Sequence, residues 1–191
     1  MEFTKQSLQF QLKKVIFTII FCVHFGAHSQ GVFDSEISLE ICQLTNDSLR
    51  QNYLEGIHDK DQYYRNYRKE LMDSLNPNSI EVSCASLDMM LNDVLNFKRI
   101  ICFVDQFGYP SSEIYGDYAS DAAWLVLHHN YGMPYRYLGY SILKNAWVSN
   151  KINSDKFDFY LRALLKNYIQ ADEEFTLQKL VEMADFHINQ K

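Results

Sequence analysis

Apolar residues along this chain recur at intervals of three and four rather than two, the spacing that lines one face of a helix. The pattern stops at three prolines, each set in turn chemistry: Asn76-Pro77-Asn78-Ser79, Gly108-Tyr109-Pro110-Ser111-Ser112 and Gly132-Met133-Pro134. The polar run from Asn150 to Asp155 is a fourth break. The spacing predicts helices over about 35–55, 59–75, 85–107, 116–130, 134–150, 155–170 and 173–188, with Asp34 or Ser35 capping the first and Ser154 or Asp155 the sixth. Segment 85–107 carries Leu87, Met90, Leu91, Val94, Leu95, Ile101, Phe103 and Val104, apolar enough for the central helix. Short links favour antiparallel neighbours. The expected fold is therefore all-α, a single compact domain of about six or seven helices packed as antiparallel hairpins. Gly139 falls inside a helical stretch, where glycine costs about 1 kcal/mol against alanine. A close helix crossing would explain it.

The start of the chain follows another pattern. Lys5, Lys13 and Lys14 precede an apolar run from Val15 to Phe25, and Ala27-His28-Ser29 places small residues where a signal peptidase reads. The expectation is a signal peptide over 1–29, cleavage before Gln30, and an exported helical domain over 30–191, periplasmic or secreted. Polar His28, Ser29 and Gln30 end the run short of the roughly 20 apolar residues a spanning helix needs. No stable membrane insertion is expected after cleavage. Cys22 lies inside the apolar run without small residues before it, which disfavours a lipid anchor.

The formal net charge is −6, and loss of Lys5, Lys13, Lys14 and Glu2 with the signal makes the remainder more acidic. That balance disfavours nucleic acid and anionic membrane as partners and leaves a protein or a small-molecule ligand. Cys42, Cys84 and Cys102 are odd in number and form no Cys-x-x-Cys pair. One disulfide is possible in an oxidising compartment but a disulfide-built scaffold is not, and the simpler reading is three small buried apolar side chains.

No phosphate loop, nucleotide fingerprint, His-Glu-x-x-His or Gly-x-Ser-x-Gly motif is present. Three polar features remain. Asp61 and Arg65 stand one helical turn apart, acid first, with Gln62 between them. They form either an exposed ion pair or a guanidinium held to receive a carboxylate or phosphate. Asp93 and Asn96 interrupt an apolar helix, so they lie on its wet face or in a buried polar network facing Asp61. His128 and His129 end the run Trp124-Leu125-Val126-Leu127. Neighbours on a helix point about 100° apart. His129 then shares a face with Ala122, Leu125 and Val126, and His128 with Asp121 and Trp124. Two histidines that bind one metal from one helix need a spacing of four. No metal or cofactor is expected, and a histidine hydrogen-bonded to a carboxylate, or one in acid–base use, fits better. Tyr115, Tyr118, Tyr131, Tyr135, Tyr137 and Tyr140 cluster nearby, as buried rings with wet hydroxyls or as a carbohydrate or peptide groove. Asn46-Asp47-Ser48 matches a glycosylation acceptor in a host that glycosylates.

Taken together these pieces resemble a family of bacterial proteins, often exported, known as a domain of unknown function. The resemblance runs from about Asp61 to Arg162. It rests on Asp61-Gln62-x-x-Arg65, Asp93-x-x-Asn96, Gly108-Tyr109-Pro110 followed by Gly116, and Ala122-Ala123-Trp124-Leu125-Val126 leading into His129. It implies a helical domain with a shared polar cluster and no particular reaction. Two departures stand out. His128 replaces the glutamine that the family tends to carry before its histidine. Arg162, preceded by Leu161, is the one match to an Asp-Arg pair, and a charged helix replaces the family's Gly/Gln/Tyr-rich tail. If that tail helps to build a site, the site here is altered.

The expectation for function is an exported helical protein that binds a small ligand or protein partner through a polar pocket of Asp61, Gln62, Arg65, Asp93, Asn96, His128 and His129. The alternative is a hydrolase-like enzyme with His129 as acid–base and Arg65 as anion holder. In both, His129 points inward and Asp61 or Asp93 orients its ring, while His128 lies nearer solvent.

Overall fold

A computed structural model describes residues 29–130, 135–169 and 174–189. The expected signal sequence, Ser29 apart, lies outside the described residues. The chain is all-α. Its helices are α1 (Ser29–Cys42), α2 (Asp47–Ser74), α3 (Ile80–Phe107), α4 (Ser112–His129), α5 (Tyr135–Val148), α6 (Ser154–Leu165) and α7 (Leu177–Asn189). None of the described helices is long and apolar enough to cross a membrane. The chain divides into two compact units, residues 1–43, which include α1, and residues 44–191, which include α2 to α7.

The helix expected over 35–55 is two helices. α1 already runs from Ser29, so Asp34 and Ser35 do not cap it, and it stops at Cys42. Asn46 then starts α2. Its extended backbone (φ −143°, ψ 168°) turns the side chain to accept the Leu49 N–H at 3.0 Å. Asn46, the first residue of the Asn46-Asp47-Ser48 signal, is thus also a helix cap. Arg50 secures the same turn, donating from Nε to the Leu44 carbonyl at 3.1 Å and from Nη1 to Asp47 at 2.8 Å. No break follows at 56–58, and α2 runs on through Gly56. α3 begins earlier than expected because Ser79 caps it, accepting from the Val82 N–H at 3.3 Å.

Within the second unit α2 and α3 pair antiparallel: Ile57 meets Asn96, Arg65 meets Asp93, and Arg68 meets Ser86. α4 packs on α2, α3 and α5 and takes the central place expected of α3. Its Ala119, Ala122 and Ala123 are fully buried, and their small side chains let neighbouring backbones close in, whereas Met90 of α3 is exposed. Gly116 (φ 76°, ψ 163°) kinks the first turn of α4, so the regular helix starts after it. α5 and α6 also run antiparallel, with Tyr140 and Trp147 stacked on Phe157 and the Tyr160 hydroxyl donating to the Arg136 carbonyl. A Cβ on Gly139 would come within 3.2 Å of that hydroxyl, which is the close crossing its sequence position suggested. Asp185 joins α7 to α5, accepting from Tyr140 and Lys144 at 2.7 Å. The Tyr140 hydroxyl is therefore not wet, and the exposed Tyr118 is not a buried ring. Tyr131 lies outside the described residues. Cys42 and Cys84 are exposed and Cys102 is half-buried, against the expectation of burial.

Candidate functional site

The buried stripe of α2 runs Leu54, Ile57, Asp61. That three-then-four spacing puts a carboxylate where the pattern calls for an apolar side chain. α3 does the same with Asn92 and Asn96, one turn apart and buried ahead of Phe97, Ile100 and Phe103. Because the two helices pair, these breaks in the apolar stripes fall beside each other. The C-terminal end of α4 brings His129 to them.

Asp61 is the centre. Its side chain is 1% exposed, whereas those of Arg65, Asp93 and His129 are 20%, 18% and 18% exposed. A closed carboxylate is thus ringed by three groups that reach solvent. Arg65 donates to Asp61 twice, from Nε and Nη2, each at 3.1 Å. The same Nη2 donates to Asp93 Oδ1 at 2.7 Å, and Nη1 lies on the Met89 sulfur at 3.4 Å. Gln62 Nε2 donates to Asp61 Oδ2 at 2.8 Å. His129 Nδ1 lies 3.1 Å from Oδ2 and 3.3 Å from Oδ1 of Asp61.

Burial pushes the Asp61 carboxyl up, but hydrogen bonds from His129 and Arg65 outweigh it and hold the group below its ordinary value. Asp61 is therefore ionised at neutral pH and can only accept, so His129 Nδ1 carries the proton toward it. In the neutral ring Nε2 is then the acceptor, and no described residue bonds to it. Asp93 goes the other way. Burial raises it to about 6, with the Asp61 charge adding to the rise and Arg65 opposing it. The cluster holds an ionised acid, a guanidinium shared by two carboxylates, an acid that titrates near pH 6 and an imidazole of fixed orientation. Such a set can accept a hydrogen bond at Nε2 and exchange a proton near neutral pH. Among the described residues no group of three or more His, Cys, Asp or Glu side chains is placed to hold a metal.

The fold thus brings Asp61, Gln62, Arg65, Asp93 and His129 together. Asn96 is fully buried one step behind them. Its Nδ2 makes a long contact of 3.5 Å with the Ile57 carbonyl, and its Oδ1 has no described protein partner. His128 departs from expectation. It is the more buried of the two histidines, stacked on Trp124 (centroids 5.0 Å apart, planes within 3°) and tilted against Phe159 at 4.8 Å. Those rings exclude water, and burial lowers its pKa to about 4. It is neutral at ordinary pH and touches the cluster through its 5.3 Å ring contact with His129. Arg162 pairs with Asp158 and donates to the Phe175 carbonyl, tying α6 to the segment before α7. Two contributors escaped the sequence reading. Asn92, whose Nδ2 is buried without a described protein partner, was legible as the residue one turn before Asn96. Met89 carried no polar signal. The chain matches no protein-family model, no curated protein and no solved structure, so the site rests on its own geometry.

Proposed function

We propose that the Asp61–Arg65–Asp93–His129 cluster binds a small polar ligand, with His129 Nε2 as the atom that receives it. One observation carries this reading: a fully buried carboxylate is bonded at once to a guanidinium and to the Nδ1 of a partly exposed imidazole. A buried ionic network is weak as a source of stability compared with apolar packing. It is effective at fixing a histidine tautomer and aiming the other nitrogen outward. The residues that carry the family resemblance, Asp61, Arg65, Asp93 and His129, are the ones the fold gathers, which supports a shared role for them.

Charge balance narrows the ligand. Arg65 spends its Nε and Nη2 on two carboxylates, Asp61 and Asp93, so its charge is already matched inside the cluster. A neutral or cationic ligand that offers a hydrogen-bond donor fits better than an anion. The second reading is acid–base catalysis, supported by the same ring orientation and by Asp93 near 6: His129 would take a proton from a bound hydroxyl or water. We also propose that the chain is exported and cut before Gln30, which N-terminal sequencing of the exported protein would test.

Native mass spectrometry of the protein purified from its own cells tests the binding reading. The wild type should carry a small-molecule adduct that His129→Ala loses while remaining folded. The same adduct on both proteins, or none on either, would overturn it.

A further inference from the structure

The open edge of the Asp61 cluster is made of acceptors. We propose that its ligand is a primary amine whose ammonium group donates to His129 Nε2 and to Asp93 Oδ2. The inference rests on the reading of the cluster as a ligand site and narrows the ligand to one chemical class.

Arg65 Nη2 bridges Asp61 Oδ1 and Asp93 Oδ1 at 3.1 and 2.7 Å, while its Nε and Nη1 lie on Asp61 and on the Met89 sulfur. Asp93 Oδ2 and His129 Nε2 make no hydrogen bond to any described residue, and both side chains are partly exposed. Behind them the fully buried Asn96 offers another acceptor. Its Nδ2 faces the Ile57 carbonyl at 3.5 Å, so the oxygen is the end left over, and Oδ1 has no described protein partner. Asn92 Nδ2, one turn away along α3, is the buried donor set against these acceptors. A buried polar atom without a partner is costly, and an excess of acceptors calls for a ligand rich in donors.

Charge and shape select among donors. Two carboxylates, Asp61 and Asp93, face one guanidinium, so the cluster is negative when both acids are ionised and the imidazole is neutral. A cation therefore gains over a neutral alcohol or amide. A guanidinium fits poorly, because it binds a carboxylate through both oxygens and Arg65 already holds Oδ1 of Asp93. A metal ion needs more ligands, and among the described residues no group of three or more His, Cys, Asp or Glu side chains is placed to hold one. An ammonium is a compact charge whose N–H donors turn to separate acceptors, which suits one oxygen and one ring nitrogen.

The same geometry makes binding depend on pH. Arg65 and Asp61 from α2 and His129 from α4 are the charged and titratable groups that face Asp93, whose carboxyl is pushed up to about 6. The ammonium needs the ionised carboxylate, so the apparent affinity should fall about tenfold from pH 7 to pH 5 as the ionised fraction falls. A proton on His129 Nε2 would remove the other acceptor and act in the same direction.

The test is a titration of the full chain with ethanolamine and putrescine at constant ionic strength, read by the imidazole 15N shifts of His129. Tetramethylammonium and acetamide are the controls, the first with the charge but no N–H and the second with N–H but no charge. At pH 7 a primary amine should shift His129 saturably, and both controls should bind about tenfold more weakly or not at all. Asp93→Asn keeps an oxygen for Arg65 and should remain folded by circular dichroism. It should bind the amine about tenfold more weakly at pH 7 and show a shallower pH response. Equal binding of either control, or unchanged affinity in folded Asp93→Asn, would overturn the ammonium and leave the cluster as a ligand site. A His129 that no probe shifts would also overturn it, and the adduct on the native protein would then decide separately whether the ligand reading stands.

Discussion

Asp61→Asn keeps the shape of the central side chain and removes its charge. In the wild type the carboxylate accepts from Arg65 Nε and Nη2 at 3.1 Å, Gln62 Nε2 at 2.8 Å and His129 Nδ1 at 3.1 Å. The amide that replaces it has one acceptor oxygen, and its NH2 faces other donors. At least two bonds are lost where the side chain is 1% exposed and water cannot substitute. Hydrogen bonds to charged groups contribute about 1.5–3 kcal/mol each, and breaking a buried pair costs about 3–5 kcal/mol. Arg65 keeps Asp93 at 2.7 Å, which places the expected loss at the lower end, about 3 kcal/mol. His129→Ala removes one bond and leaves Arg65 and Gln62 on Asp61, so it should cost about 1–3 kcal/mol. The double variant should fall short of the sum by about 1 kcal/mol or more, because the two residues share a bond. Urea unfolding followed by circular dichroism, with unchanged denaturant slope, measures all three. A loss under about 1 kcal/mol for Asp61→Asn, or strict additivity, would refute the assignment of Asp61 as the hub.

Two titrations should oppose each other. Asp93 rises from 3.8 to about 6 on folding, so between those values the unfolded chain releases its proton first and stability falls as pH rises. His128 drops from 6.5 to about 4, so as pH falls through that window the unfolded chain takes up its proton first and stability is lost on acidification. The wild type should be nearly flat from about pH 4 to 6; melting temperatures of Asp93→Asn should fall on acidification, and those of His128→Phe should rise. Parallel wild-type and variant profiles would contradict both assignments. Gly116→Ala has room for its methyl group but not for its backbone at φ 76°, and should cost about 1–3 kcal/mol in unfolding experiments. Gly139→Ala gains about 1 kcal/mol of helix propensity. It should nonetheless destabilise, because its Cβ would press on a Tyr160 hydroxyl held by Arg136.

The helices were legible because three-and-four spacing and proline breaks are local signals. The cap at Asn46 was missed for a local reason as well: a short polar side chain before a helix caps it whatever longer motif it belongs to. The meeting of Asp61 with Arg65 was legible from spacing. Their meeting with Asp93 and His129 needed the pairing of α2 with α3 and the packing of α4, which no local pattern encodes. The order of burial of His128 and His129 was not legible, because Phe159, on a later helix, closes over His128.

The arrangement at Asp61 demands one particular form of His129. Free neutral histidine favours the proton on Nε2, whereas an ionised Asp61 against Nδ1 requires it on Nδ1. Long-range 1H–15N correlation spectra of the imidazole side chains, recorded on the full chain above the pH at which the ring loses its charge, read this directly. The predicted result is a His129 protonated at Nδ1 with a bare Nε2. A His129 protonated at Nε2, like free histidine, would contradict the site.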